Sequence, residues 1–360
     1  MNRRKRNKKK KIKTIIITLI LCILLPVIAY CSYLTYLLYF RPTPTIVNTG
    51  NSNSADDQSG VENIVLFGVD SRTSTDPGRT DSIIIAELDK NTKTIKLVSI
   101  MRDLYVKIGN TGSMGRINTA YSKGGPEMTL ETLNNNFGLN LHYYAIIDFH
   151  AFQDLVDKIG GIDVEVKDYE VAEINKYIDE VNGSKSTFLK GPGLQHLNGQ
   201  QALSYSRIRH VGNGDFERTE RQRTVLKCIA EKIKKTNILK LPQLLNILVS
   251  YTQTNVPLSK ILSLGITAYK YNSNIETIRI PVDGYYENQI VNGASVLVPD
   301  LSANAQFLED FINDLNISTA SKPKPNIPNY AISHASSRVK EKKSKVKVIK
   351  NETKTTTATP

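Results

Sequence analysis

The chain has 360 residues, with 47 Lys and Arg against 34 Asp and Glu, a formal charge of +13 and three cysteines. Nine of the basic residues fall in the first 13 positions and ten in the last 42, which leaves 28 basic against 32 acidic residues in 14–318. A mildly acidic body between basic ends argues against a nucleic-acid-binding domain.

Residues 1–13 read as a short basic cytoplasmic segment. Residues 14–40 (TIIITLILCILLPVIAYCSYLTYLLYF) carry no charged side chain. About 20 apolar residues cross the ~30 Å hydrocarbon core, and a basic flank stays on the cytoplasmic side. We therefore expect one transmembrane signal-anchor and a single-pass type II protein of the cell membrane, with everything after Phe40 extracytoplasmic. A cleaved signal peptide fits less well, because the run exceeds a usual apolar region and no A-x-A site follows it. Cys22 and Cys31 lie inside this run. Cys228 falls in a predicted helix and reads as a small core residue. Residues 41–60 are polar and turn-rich, a flexible stalk. Residues 61–317 should form the folded domain, and about 260 residues suffice for a core without disulfides. Residues 318–360 are rich in Pro, Lys, Ser and Thr and read as a disordered basic tail, able to touch anionic wall polymer or lipid.

Within the domain, Asn63–Val69, Ser82–Leu88 and Thr94–Ile100 are apolar and β-branched, which predicts strands. Tyr144–Asp148, Ile162–Val166 and Thr277–Ile280 read likewise. Helical patterns occupy Met128–Phe137, Phe149–Ile159, Gln200–Ser204, Glu217–Lys235, Leu241–Ser250 and Ser259–Tyr269. Strands interleaved with helices predict an α/β fold, an α-β-α layered domain around a central mixed sheet.

Four clusters alternate carboxylates with arginines: Asp70-Ser71-Arg72, Arg79-Thr80-Asp81, Arg102-Asp103 and Arg207-Ile208-Arg209. The last is followed by Asp215-Phe216-Glu217-Arg218. Guanidinium forks grip phosphate oxygens in pairs, and separated carboxylates joined in space can hold Mg²⁺. The combination points to a metal-bound pyrophosphate. Asp70 closes a predicted strand, where open α/β sheets place ligands, and Asp81 opens the next one. Surface pairing of these acids with Arg72 and Arg79 is the competing reading. Arg207 and Arg209 share a face if the segment is extended; solvent-facing arginines are the alternative there. Arg218 and Gln222 continue the apolar stripe of Val225, Ile229 and Ile233, so Arg218 should point inward, and Arg221 one turn on is expected to share the site. No G-x-S-x-G elbow, Walker A, G-x-G-x-x-G or HExxH pattern occurs. His210 adjoins Arg209 and reads as a surface residue.

GVDSR (68–72), GRTDS (78–82), SIMRD (99–103), RINTAYSKGG (116–125), HLNGQQALSYSRIR (196–209) and GDFERTERQR (214–223) together resemble the LytR-CpsA-Psr family over nearly the whole of 61–317. The resemblance implies a Gram-positive envelope phosphotransferase. Such an enzyme moves a glycopolymer (teichoic acid, capsule or another wall polysaccharide) from an undecaprenyl-pyrophosphate carrier to peptidoglycan through a phosphodiester. By motif, Asp70 and Asp81 match the acids that hold Mg²⁺, with Mn²⁺ as an alternative cation. Arg79, Arg102, Arg207 and Arg209 match the pyrophosphate-binding arginines; Asp103, Arg218 and Gln222 lie in motifs lining that site. The polyprenyl chain is expected in an apolar tunnel between sheet and helices. Met101 departs from a common Pro, and Glu217 and Thr219 from a usual Gly and Gln. Two rival functions are a polyprenyl-pyrophosphate hydrolase and a non-catalytic membrane regulator; 13 cytoplasmic residues are few for a DNA-binding domain.

Overall fold

The computed structural model describes residues 25, 32, 60–69, 80–182, 187–236, 244, 252–271, 275–313 and 325–330. Apart from residues 25, 32, 60 and 244, the expected membrane run, the stalk and the helix over 241–250 lie outside these residues, as do most of the tail and Asp70, Arg72 and Arg79. Among the described residues, no helix is long and apolar enough to cross a membrane.

Three apolar runs build the centre of a sheet: β1 (Val61–Val69), β2 (Thr80–Asp89) and β3 (Thr94–Ile100). They pair as antiparallel neighbours, with Phe67 opposite Ile83 and Ile85 opposite Val98. A register shift at Gly68/Val69 sets Val69 opposite Thr80. Next come the short hairpin of β4 (Tyr105–Lys107) and β5 (Met114–Arg116), then α1 (Asn118–Phe137), β6 (Tyr143–Ile147) and α2 (Phe149–Lys158). A second hairpin, β7 (Ile162–Val166) with β8 (Gly193–Leu197), encloses α3 (Asp168–Asn182) in its connection. It leads into α4 (Gly199–Arg207) and α5 (Asp215–Lys235). β9 (Thr252–Thr254), α6 (Leu258–Lys270), β10 (Ile275–Ile280), a hairpin of β11 (Tyr286–Val291) with β12 (Ala294–Pro299), and α7 (Leu301–Ile312) complete the fold. The central sheet runs β10-β3-β2-β1-β6-β9. β1/β6 and β3/β10 are parallel and the other neighbours antiparallel, so the sheet is mixed as expected.

Alternation along the strands sends apolar side chains to both faces. Phe67, Ile83, Ile85, Val98 and Ile100 meet Leu130, Leu133 and Phe137 of α1 and Leu308 and Phe311 of α7 on one face. Ile84, Leu97 and Ile275 meet Leu226 and Ala230 of α5 and Leu264 of α6 on the other. A further cluster joins α2, α3, α4 and α5 through Val156, Ile174, Ile178, Tyr205, Ile208 and Val225. Each such buried Ile, Leu or Val stabilises the fold by about 1.5–3 kcal/mol. Lys96 and Glu87 sit wholly buried on the α1/α7 face, 3.8 Å apart. Lys96 Nζ donates to the carbonyl of Ile312 at 2.7 Å, satisfying an orphan acceptor at the end of α7.

Residues 325–330, beyond the expected end of the domain at 317, belong to the fold. Residues 325–330 lie against β11 and β12: the Asn326 amide donates to Asp300 Oδ2 at 2.7 Å and the Tyr330 amide to Gln289 Oε1 at 2.9 Å. Ile327 and Tyr330 pack beside Tyr105, Val291, Val296 and Val298. The expectation of disorder from 318 onward is thus corrected over these six residues. Ile327 and Tyr330 supply enough apolar surface to dock a segment whose overall composition is polar.

Candidate active site

A cavity of about 340 Å³ opens between the sheet and the helices α2 to α5. Its apolar walls are Leu66, Phe67, Ile84, Ile147, Phe149, Phe152, Leu203, Val225 and Leu226. Its polar lining comes from the start of β2 (Asp81, Ser82), the end of α4 (Ser206, Arg207, Arg209, His210) and the first turns of α5 (Arg218, Gln222). Gly68 lies opposite Ser82 in the register, and a Cβ at 68 would meet the Ser82 Cβ at 3.0 Å. The two strands therefore approach closely where they border the cavity.

Local sequence explains how α4 delivers its arginines. Asn198 and Gln201 form a capping box that starts the helix. Gly199 sits where any Cβ would collide with the Gln153 carbonyl, so α4 packs directly on α2. The helix stops at Ile208, whose ψ of 126° turns the chain outward. Ile208 is fully buried in the helical cluster, while Arg207 and Arg209 on either side line the cavity. The expectation of a shared face holds, but through a helix end rather than an extended segment. The Arg207 guanidinium lies 4.9 Å from the ring centres of both Phe149 and Tyr177, two cation–π contacts that help hold it in place.

Arg102 is the hub of the carboxylates. Its Nη1 lies 2.5 Å from Asp81 Oδ1, and its Nε lies 2.8 Å from Asp215 Oδ2 and 3.5 Å from Asp103 Oδ2. Burial opposes its charge, but Asp215, Asp81 and Asp103 together outweigh that and hold its pKa above the usual arginine range. Arg218 donates to Asp215 Oδ2 at 3.2 Å and to the Asp81 carbonyl at 3.1 Å. There burial wins over Asp215, and the pKa falls. Ser82 Oγ donates to Gln222 Oε1 at 3.0 Å, which orients the amide at the cavity wall.

The structure thus brings Asp81, Arg207, Arg209, Arg218 and Gln222 around one space. Arg102 and Asp103 stand outside the wall and reach it through Asp81; Asp103 also meets Arg116 at 3.4 Å. Arg221 is placed elsewhere. It is buried against Glu170 of α3 (2.6 Å), bonds Glu217 (2.5 Å) and donates to the Ile208 carbonyl (3.0 Å). Expecting Arg221 in the site overlooked that three residues turn a helix by about 300°, about 60° short of a full turn, enough to aim it at α3. His210, read as a surface residue, is exposed and also lines the cavity. Asp215, Ser82, Phe149 and Tyr177 did not figure as site residues in the sequence. Asp215 at a helix start beside Arg218 carried a signal; the two aromatics carried none.

For a divalent cation, the Asp81 carboxylate is half exposed and lines the cavity beside guanidinium groups. Mg²⁺ usually takes one or two carboxylates and completes its shell with water and phosphate oxygens, and Asp81 fits as one such ligand. Among the described residues, no three His, Cys, Asp or Glu side chains form a metal group.

The LytR_cpsA_psr family model matches residues 42–312. Regulatory protein MsrR of Staphylococcus aureus is 32% identical over 260 residues, 71% of this chain and 75% of that protein. Bacillus subtilis TagV, a polyisoprenyl-teichoic acid–peptidoglycan teichoic acid transferase, is 35% identical over 233 residues, 62% of this chain and 57% of its own length. The crystal structure of TagV superposes with a TM-score of 0.57 at 30% identity, covering 71% of this chain and 98% of that one. A structure of TagT bound to LI-WTA shares the fold, with a TM-score of 0.58 at 24% identity over 74% of this chain and 95% of that one.

Proposed function

The chain belongs to the LytR-CpsA-Psr family, and from that premise we propose that it transfers a glycopolymer from an undecaprenyl-pyrophosphate carrier to peptidoglycan. The observation that carries this reading is a single cavity with apolar walls and a lining of Arg207, Arg209 and Arg218. Few ligands need both halves of such a space; a polyprenyl pyrophosphate does. The apolar walls would take the lipid chain and the guanidiniums its two phosphates. The relatives named as teichoic acid transferases support a wall polymer as the group transferred. The run at 14–40 would anchor the domain on the outer membrane face, where carrier and acceptor both lie.

In the proposed step a peptidoglycan hydroxyl attacks the sugar-linked phosphorus. A new O–P bond forms, the bridging P–O bond of the pyrophosphate breaks, and undecaprenyl phosphate leaves with the bonding pair. The hydroxyl proton passes to a carboxylate of the site. Arg207, Arg209 and Arg218 stabilise charge on the transferred and departing phosphates, the dominant contribution in phosphoryl transfer. Arg102 acts through Asp81 and Asp215, fixing the acid and Arg218 in place. Asp81, together with Asp70, would hold Mg²⁺ or Mn²⁺, which when bound neutralises phosphate charge.

Full-length protein in detergent, given a lipid-linked saccharide and peptidoglycan oligomers, should yield glycan joined to peptidoglycan through phosphate, with one undecaprenyl phosphate per transfer. Absence of the joined product with intact substrates overturns the proposal.

A further inference from the structure

The sheet-facing side of α5 carries charge that the cavity does not use. Arg223 precedes Leu226 and Ala230 by three and seven residues, on the same helical stripe, and both of those pack on the sheet. Arg223 is thereby turned toward β3 and β10, which α5 contacts. On those strands Ser99 and Arg279 are register partners. Ser99 shares its face with Ile95 and Leu97, and Arg279 with Ile275, so both project toward α5.

Unsatisfied polar atoms gather at this junction. Nε and Nη1 of Arg223, Nη1 of Arg279 and Oγ of Ser99 are buried and bond to nothing among the described residues. Arg223 is 9% exposed and Ser99 1%. The Arg279 guanidinium lies 4.5 Å above the Phe216 ring, and its Nη2 meets Asp283 at 2.5 Å. That carboxylate is 81% exposed, so water screens it. Burial pushes the Arg223 guanidinium down to about 10; Glu220 opposes this and Arg279 adds to it. A guanidinium keeps its proton in proteins; the acid acting on Arg223, Glu220, is exposed to water, and a buried charge so weakly countered is unfavourable.

We propose that this junction is a second anion site, separate from the cavity, in which Arg223, Arg279 and Ser99 grip a tetrahedral oxyanion of the phosphate class. Two guanidiniums and a hydroxyl approach from the helix and from two strands, a donor set suited to several oxygens on one centre. The site does not depend on the transfer reading. Free phosphate and the phosphodiester of a bound polymer are its two chemical sources. Phe216 follows Asp215, so an occupied site would also brace the turn of α5 that holds Arg102 and Arg218.

The test is thermal unfolding of the full-length protein in detergent at matched ionic strength, with sodium chloride, inorganic phosphate or bis(glycerol) phosphate. An Arg209→Gln background lowers the contribution of the cavity. Phosphate should raise the midpoint in that background, and Arg279→Gln should weaken the phosphate dependence roughly tenfold or more. Arg223→Met should abolish the dependence and raise the midpoint without phosphate, because a weakly countered buried charge is gone. Asp283→Asn should strengthen the response. A response to both probes supports the phosphodiester as a source, and a response to inorganic phosphate alone supports free phosphate. No phosphate response in the Arg209→Gln background overturns the site, as does an undiminished response in Arg279→Gln. Should Arg223→Met fail to fold, Arg279→Gln and Asp283→Asn still decide.

Discussion

Arg221 Nη1 donates to the carbonyl of Ile208 at 3.0 Å, so a buried guanidinium on α5 holds the peptide between Arg207 and Arg209. Its Nε is bound 2.6 Å from Glu170, which is 1% exposed. Arg221→Met should therefore cost about 3–5 kcal/mol, mostly from stranding Glu170 in the interior. Adding Glu170→Leu should recover much of that stability, because an apolar pair replaces the ionic one. Urea unfolding of the single and double variants checks this. The double variant should still transfer poorly, since the Ile208 carbonyl has lost its donor.

Arg102 joins three carboxylates through a planar fork, which an ammonium group cannot imitate. Arg102→Lys should lower the transfer rate by about 10²–10³-fold while leaving a cooperative unfolding transition. A rate within about threefold of the unmodified protein would show that the fork is dispensable.

Chelation with EDTA should abolish transfer, and Mg²⁺ or Mn²⁺ should restore it. Asp81→Asn should raise the Mg²⁺ concentration for half-maximal rate by at least about tenfold. Full activity in the chelator would remove the cation from the mechanism.

Glu217 is buried enough to raise its pKa, yet the Tyr169 hydroxyl, the Asn213 amide, Lys167 and Arg221 outweigh that and lower it. A carboxyl depressed in the folded state stabilises the fold above its unfolded pKa. That stabilisation fades as pH falls through the folded value. Glu217→Gln should flatten part of the acid limb of stability between about pH 6 and pH 3. Urea midpoints across that range measure it; an unchanged slope contradicts the assignment.

The sequence made the central sheet legible because β1, β2 and β3 are dense in Ile, Val and Leu and bounded by polar turns. α1 was truncated in the reading. Gly124, Gly125 and Pro126 do interrupt it, since both glycines have non-helical angles and two helical segments meet there at a kink; what the pattern missed is the segment that starts at Asn118. The β11/β12 hairpin escaped notice despite Asn292-Gly293, whose φ of 53° and 81° give the expected tight turn; few apolar residues flank it in β11. In the site, the inward aim of Arg218 followed from helix phase alone. Arg221 differs by less than a turn, and its destination depends on α3, a partner that helix periodicity does not name. The meeting of Ser99, Arg223 and Arg279 is less legible still, because it requires β10 to pair with β3 across 174 intervening residues.

Ile208 has none of its surface exposed, and a cavity-lining arginine stands on each side of it. The segment works as a lever whose fulcrum lies inside the helical core. Any repacking of that core reaches both guanidiniums at once. Heat-sensitive alleles should accordingly collect around the Ile208 pocket, losing grip on the donor before the domain melts. Drift in what the protein recognises is then constrained by residues that its substrate never meets.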